Sequence, residues 1–169
     1  MDAPRHQRRA RRGRKIAMST QNKIELDRFL PYRLSVLSNR VSEAIARAYS
    51  KRFNLSITEW RVMAVLARHP GLSCSEVSER TAMDKVAVSR AVNTLLLSGR
   101  LLRDTHTVDR RKLVLTLSPT GYSIYDAVVP RAEAYERALL GCLDEHDREA
   151  LDRVLQKLLA QQAAAADEL

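Results

Sequence analysis

The sequence predicts a mainly α-helical fold completed by one two-stranded β-hairpin, and three observations predict it. Apolar residues recur at spacings of three and four through most of the chain, the period of helices that bury one face. After Gly99 the period drops to two: Leu113, Leu115 and Leu117 alternate with Val114 and Thr116, as in a half-buried strand. Just before that switch stand two short helical segments, joined only by the turn Thr81-Ala82-Met83. Helix, tight turn, helix and then a hairpin is the pattern of a winged helix-turn-helix, with the hairpin as wing.

Taken in chain order, residues 1–22 lack an apolar period and are dense in Arg. They read as a basic, disordered arm, either one that touches a polyanion or an extension ahead of a second start at Met18. Residues 23–169 read as a single domain. Leu30, Leu34, Leu37, Val41, Ile45 and Ala48 outline a long helix within 28–52, with Pro31 in its first turn and Asn54 closing it. Thr58 is the expected cap of the next helix, which carries Trp60, Met63, Ala64, Leu66 and Ala67 and is ended by His69-Pro70-Gly71. Ser73-Cys74-Ser75-Glu76 is a capping box, in which the Ser73 hydroxyl and the Glu76 carboxylate each satisfy an orphan backbone N–H. It opens a short helix with Val77 inward.

Asp84 caps the helix after it, which buries Val88, Ala91, Val92, Leu95 and Leu96 and stops at Ser98-Gly99. Leu101 to His106 supplies the antiparallel partner of the 113–117 strand, leaving 107–112 as an exposed tip. Ser118-Pro119-Thr120-Gly121 ends the hairpin and starts a long helix that Pro130 should kink. Asp144 caps a last helix bearing Leu151, Val154, Leu155, Leu158 and Leu159, and the end from Gln161 is expected to fray. The winged helix-turn-helix thus spans 56–118, between flanking helices at 28–52 and 120–160.

Composition narrows the function. No apolar run approaches the ~18 residues of a membrane span, and the basic N-terminus is not followed by the apolar stretch of a secretory signal. The two cysteines, Cys74 and Cys142, match no metal or redox spacing, so a reduced cytoplasmic chain with no membrane partner is expected. The four histidines are scattered, glycine-rich phosphate loops are missing, and no nucleophile setting is recognisable. No cofactor, no metal and no enzymatic activity are expected. The net charge of +9 is uneven: +6 over residues 1–18, +8 over 19–121 and −5 over 122–169. A basic front half implies a polyanionic partner, and double-stranded DNA is the polyanion that a winged helix-turn-helix fits.

The helix beginning at Asp84 supplies the reading face. With Val88, Ala91, Val92 and Leu95 turned inward, Lys85, Val86, Ala87, Ser89, Arg90 and Asn93 are left to face the major groove. Lys85 can neutralise phosphate, and Arg90 can take a guanine edge or a phosphate. Ser89 and Asn93 offer polar contacts, while Val86 or Ala87 can meet a thymine methyl. Ser73 and Ser75 open the preceding helix and complete the contact set. In the hairpin tip, Arg110, Arg111 and Lys112 face DNA; Arg111 is placed to enter the minor groove, with Asp109 orienting its guanidinium.

Thr58-Glu59-Trp60-Arg61-Val62-Met63, Met83 through Arg90, and Asp109-Arg110-Arg111-Lys112 through Leu117-Ser118-Pro119-Thr120-Gly121 resemble the MarR (multiple antibiotic resistance regulator) family, from about Leu26 to Leu159. The resemblance implies a triangular homodimer interlocked through its N- and C-terminal helices. It also implies a repressor released by a small, often aromatic ligand bound between the dimerisation helices and the DNA lobe. Asp84 departs from the Ser or Thr common at that helix start and is expected to act purely as a cap. The bare pattern also asks for a dimer, because the flanking helices carry more apolar surface than one small winged lobe covers. Operators would then be pseudo-palindromic, with half-sites about one helical turn apart.

Within the family, the Trp60–Met63 and Met83–Arg90 segments are similar to a branch that senses hydroxycinnamoyl-CoA or related aromatic acids. The expected effector is an aromatic acid or its CoA thioester, held by Arg33, Leu37, Arg40, Trp60 and Arg61. Two other readings stand beside this one: a protein-interaction or scaffold module built on a winged helix, and a thiol-based redox sensor acting through Cys74 at a helix N-terminus.

Overall fold

The computed structural model describes residues 23–105 and 113–166, with side chains up to residue 162. The chain divides into two units, Met1–Ser35 and Val36–Leu169. In the first, a turn in which the Phe29 N–H bonds the Glu25 carbonyl at 3.0 Å leads into α1 (Leu30–Ala46), which runs on into the second unit. Leu30, Tyr32 and Leu34 of this unit are all more than two-fifths exposed.

In the second unit α1 is followed by α2 (Ser50–Phe53), α3 (Ile57–Arg68), α4 (Cys74–Thr81) and α5 (Lys85–Leu97). The hairpin comes next, β1 (Leu101–Thr105) and β2 (Leu113–Leu117), then α6 (Pro119–Leu139), a 3-10 turn at Leu140–Cys142, and α7 (Glu145–Ala166). The mainly helical fold with a two-stranded wing is the one the sequence predicts. The strands pair antiparallel, Leu101 opposite Leu117 through Thr105 opposite Leu113. A further bridge, unforeseen from periodicity, joins Leu72 to Leu115 and ties the start of α4 to the wing.

The core sits where α3, α4, α5 and the root of the wing meet. Val62, Met63 and Leu66 of α3, Val77 of α4, Val88, Val92 and Leu95 of α5, and Leu101, Leu115 and Leu117 of the hairpin are buried. Each fully buried aliphatic side chain contributes about 1.5–3 kcal/mol. Val62 joins the core beyond the residues the periodicity picks out, whereas Leu113, on the expected inner face of its strand, is 53 % exposed.

Local structure departs from expectation at three more places. The first helix does not run to Asn54. It ends at Ala46, where Ala48 and Tyr49 donate to carbonyls only three residues back, and this tightened turn buries Tyr49. Asn54, at φ 47°, closes α2 instead. The cap of α3 is Ser56, not Thr58: Ser56 Oγ accepts from the Glu59 N–H at 3.2 Å, and Glu59 Oε2 accepts from the Ser56 N–H at 2.7 Å. That reciprocal pair satisfies two orphan donors, which a cap at Thr58 could not do without a carboxylate or amide three residues on. The C-terminal helix continues to Ala166 rather than fraying from Gln161, as a run of alanines, the best helix formers, allows.

Candidate nucleic-acid interface and adjoining cavities

α5 is capped by the residue just before it. Asp84 Oδ1 accepts from the Val86 N–H at 3.0 Å and the Ala87 N–H at 2.9 Å, so the carboxylate acts as the expected cap. Before it, Ala82 adopts the left-handed conformation at φ 51°, and Ser78 Oγ donates to the Met83 carbonyl at 2.8 Å, locking the turn between α4 and α5. With Val88, Ala91, Val92 and Leu95 buried, Lys85, Val86, Ser89, Arg90 and Asn93 are exposed on the opposite face and Ala87 is half-buried. A capped helix presenting two cations, two polar side chains and a valine has the chemistry of a major-groove reader.

Ser75 is exposed at the start of α4. Ser73 is half-buried, and its hydroxyl is tied into the cap: it donates to Glu76 Oε2 at 2.6 Å and accepts from the Glu76 N–H at 3.3 Å. Asp109, Arg110, Arg111 and Lys112 lie outside the described residues.

At the root of the wing three segments meet. Arg100 Nη2 donates to the Phe53 carbonyl at the end of α2. The Arg100 carbonyl accepts from the Ser118 N–H at 3.0 Å, and Ser118 Oγ donates to the Gly99 carbonyl at 2.7 Å while accepting from the Gly121 N–H at 3.0 Å. A Cβ placed on Gly121 would stand 2.2 Å from the Arg100 carbonyl oxygen. The Ser-Pro-x-Gly exit is therefore a joint: Ser118 caps α6 and clasps the wing, and only glycine lets α6 approach so closely. Arg100 was not singled out from the sequence, since a lone arginine at a turn carries no spacing signal.

Of the residues expected to hold an effector, Arg33 lies in the first unit, while Leu37 and Arg40 are exposed on α1. Trp60 and Arg61 do come together, beside Ser42, Ile45 and Tyr49 around a cavity of only about 90 Å³. The Arg61 guanidinium donates to Ser42 Oγ at 2.7 Å. Trp60 is the centre of an aromatic stack that periodicity could not reveal, with Tyr49 at 5.3 Å on one side and Tyr125 at 5.7 Å on the other. Burial pushes the Tyr49 phenol up to about 12, with the nearby Arg61 charge opposing the shift. Tyr125 also lines a larger cavity of about 460 Å³ between α1 and α6, bounded by Val41, Ile45, Val129 and Leu139. That volume suits a small organic ligand.

Exposed apolar side chains recur along α1 and along the C-terminal helix. Along α7, Leu151, Val154, Leu155, Leu158 and Leu159 are 39 % to 74 % exposed, and among its described side chains only Ala150 is even half-buried. No described helix is long and apolar enough to cross a membrane.

The family model described as MarR family matches residues 53–112. Among curated proteins, the chain is 23 % identical over 114 residues to the homoprotocatechuate degradative operon repressor of Escherichia coli, covering 68 % of this chain and 77 % of that one. It spans 66 % of the length of uncharacterised HTH-type transcriptional regulators of Staphylococcus aureus, at 22 % identity over 57 % of its own length. Among solved structures, a MarR/EmrR family transcriptional regulator from Acinetobacter sp. ADP1 superimposes with a TM-score of 0.75 at 27 % identity, covering 86 % of this chain and all of that one (100 %). BpsR of Bordetella bronchiseptica, whose DNA binding is regulated by 6-hydroxynicotinic acid, superimposes with a TM-score of 0.66 at 24 % identity, over 76 % of this chain and 97 % of its own.

Proposed function

We propose that this chain is a MarR-family DNA-binding transcriptional regulator, a homodimeric repressor that a small aromatic effector releases from its operator. The observation that carries the DNA reading is α5: a helix fixed at its N-terminus by Asp84, with Lys85, Val86, Ser89, Arg90 and Asn93 exposed opposite its buried face. Lys85 neutralises phosphate, Arg90 takes a guanine edge or a phosphate, and Val86 meets a thymine methyl. The wing residues Arg110, Arg111 and Lys112 reach the flanking minor groove and backbone, with Asp109 aiming Arg111.

The dimer is supported by α7, whose described side chains bury almost nothing within their own chain. Its apolar row is covered by the same surface of a second copy, which makes the operator pseudo-palindromic. The release step needs a ligand that binds the non-DNA-competent arrangement more tightly than the competent one. The Tyr49–Trp60–Tyr125 stack supports a site beside α3, the helix against which α5 packs. Repression and an aromatic effector accord with the E. coli relative's name and with the regulation of BpsR. The acid or CoA thioester rests on the sequence resemblance, on Arg33 and Arg40 of α1, and on the Trp60–Arg61 pairing.

The test is a mobility shift of the purified chain on the DNA upstream of its own coding sequence, against a scrambled duplex. Retardation of the upstream DNA at concentrations that leave the scrambled duplex free is expected. Equal retardation of both contradicts a sequence-reading regulator.

A further inference from the structure

Resting on the reading that an effector binds beside Trp60, we propose that the cavity between α1 and α6 takes an aromatic cation, an amine or quaternary ammonium, and not an aromatic acid. The cavity, about 460 Å³, is lined by Val41 and Ile45 and by two tyrosines, Tyr125 and Tyr135. Its charged lining among the described residues consists of two carboxylates, Glu133 and Glu136; no Lys, Arg or His contributes to it. A carboxylate ligand entering that space gives up solvation and meets like charge. An ammonium meets opposite charge, and the two tyrosine rings offer cation–π contacts.

Both glutamates have cationic neighbours that leave this intact. Glu133 Oε2 is 3.9 Å from Arg137 Nη1, but both side chains are more than half exposed, and such pairs are weak enough to yield to a held ligand. Glu136 shares smaller adjoining cavities with Arg137 and Arg148, and Arg148 commits Nη2 to the Leu140 carbonyl at 3.0 Å. Neither guanidinium lines the larger cavity. Beside Trp60 the Arg61 guanidinium is already held by Ser42 Oγ, and the cavity there measures only about 90 Å³. Even benzene needs a cavity on the order of 150 Å³. Occupancy of the larger cavity is also read out directly, since Tyr125 both lines it and stacks on Trp60, the single tryptophan.

The experiment uses one ring with three charges: 1-naphthylmethyl-trimethylammonium, 1-naphthylmethanol and 1-naphthylacetate. Each is titrated by calorimetry into the full chain, and into the Glu133→Gln/Glu136→Gln variant, with operator release followed in parallel. The ammonium probe is expected to bind about tenfold tighter than the acetate and to release DNA over the same concentration range, and the variant to lose that preference. If the acetate binds as tightly or tighter, the cation assignment is overturned while the effector reading stands. A preference that survives in the variant also overturns it, since the carboxylates are then not its source. If no probe binds, the cavity is not an effector site and the proposal falls, whereas operator binding without probe judges the DNA reading separately.

Discussion

Gly121→Ala is the substitution whose consequence the geometry fixes most tightly. The added Cβ would lie 2.2 Å from the Arg100 carbonyl oxygen and 3.2 Å from Leu117 Cδ2. Restoring an ordinary contact of 3.4 Å requires the start of α6 and the root of the wing to separate by about 1.2 Å. The atom in the way is backbone, so no side-chain rotation relieves it. Overpacking of this kind costs about 1–3 kcal/mol. The same displacement stretches the bonds from Ser118 N–H to the Arg100 carbonyl and from Ser118 Oγ to the Gly99 carbonyl, now 3.0 and 2.7 Å, each worth about 1 kcal/mol. A total of about 3–5 kcal/mol lowers the melting temperature by roughly 6–20 °C for a chain of this size. Thermal unfolding followed by circular dichroism at fixed protein concentration measures it. Gly141→Ala serves as control, because a Cβ there meets nothing within 4 Å and the change should be neutral or slightly stabilising. A Gly121→Ala melting temperature within about 2 °C of the unaltered chain would refute the joint.

Three further outcomes are expected. Arg100→Met, which keeps the stem but removes the donor to the Phe53 carbonyl, should weaken operator binding about tenfold in a fluorescence-anisotropy titration, and Arg100→Lys should restore most of it; no loss in the Met variant would dismiss Arg100 as a brace for the wing. Leu151→Glu with Leu155→Glu puts four charges into the dimer in place of four leucines, at roughly 1.5 kcal/mol or more each, so sedimentation should show association weakened by about four orders of magnitude. An unchanged dimer would move the interface off α7. Tyr49, raised from 10.0 to about 12 by burial, should ionise late, seen as a delayed rise at the tyrosinate absorbance band relative to Tyr49→Phe. Since the unfolded chain gives up that proton first, the stability it supplies is complete below pH 10.0 and is lost as pH rises toward 12. The difference in unfolding free energy between the two proteins should therefore change across that window and stay flat beneath it.

The elements with strong local chemistry were legible in the sequence. Asp84 and Ser73 declare helix starts by capping, Gly99 and Gly121 mark the stops and joints, and the switch of period at the hairpin locates the wing. The exposed face of α5 was legible for the same reason, because naming four inward residues leaves the outward ones by elimination. What depends on tertiary approach was not. The turn at Arg47–Tyr49 follows no spacing in α1, yet it is what carries Tyr49 onto Trp60. The effector site was sought where arginines share a helical face. In the structure Arg40 is exposed, Arg61 donates to Ser42, and a cavity of about 460 Å³ opens beside Tyr125 and Tyr135 of α6. Those tyrosines lie more than sixty residues from Trp60 in the chain, and no local pattern joins them.

The central claim is that the exposed face of α5, doubled by the dimer, meets DNA phosphates. Its most direct test is the salt dependence of operator affinity for the unaltered chain and for Lys85→Ala. Each phosphate neutralised contributes about −0.9 to the slope of log K against log salt. Removing Lys85 from both subunits should therefore flatten that slope by about 1.8 while leaving the preference for operator over scrambled DNA largely intact. A slope that is already nearly flat in the unaltered chain, or that does not change in Lys85→Ala, would contradict the placement of α5 on DNA.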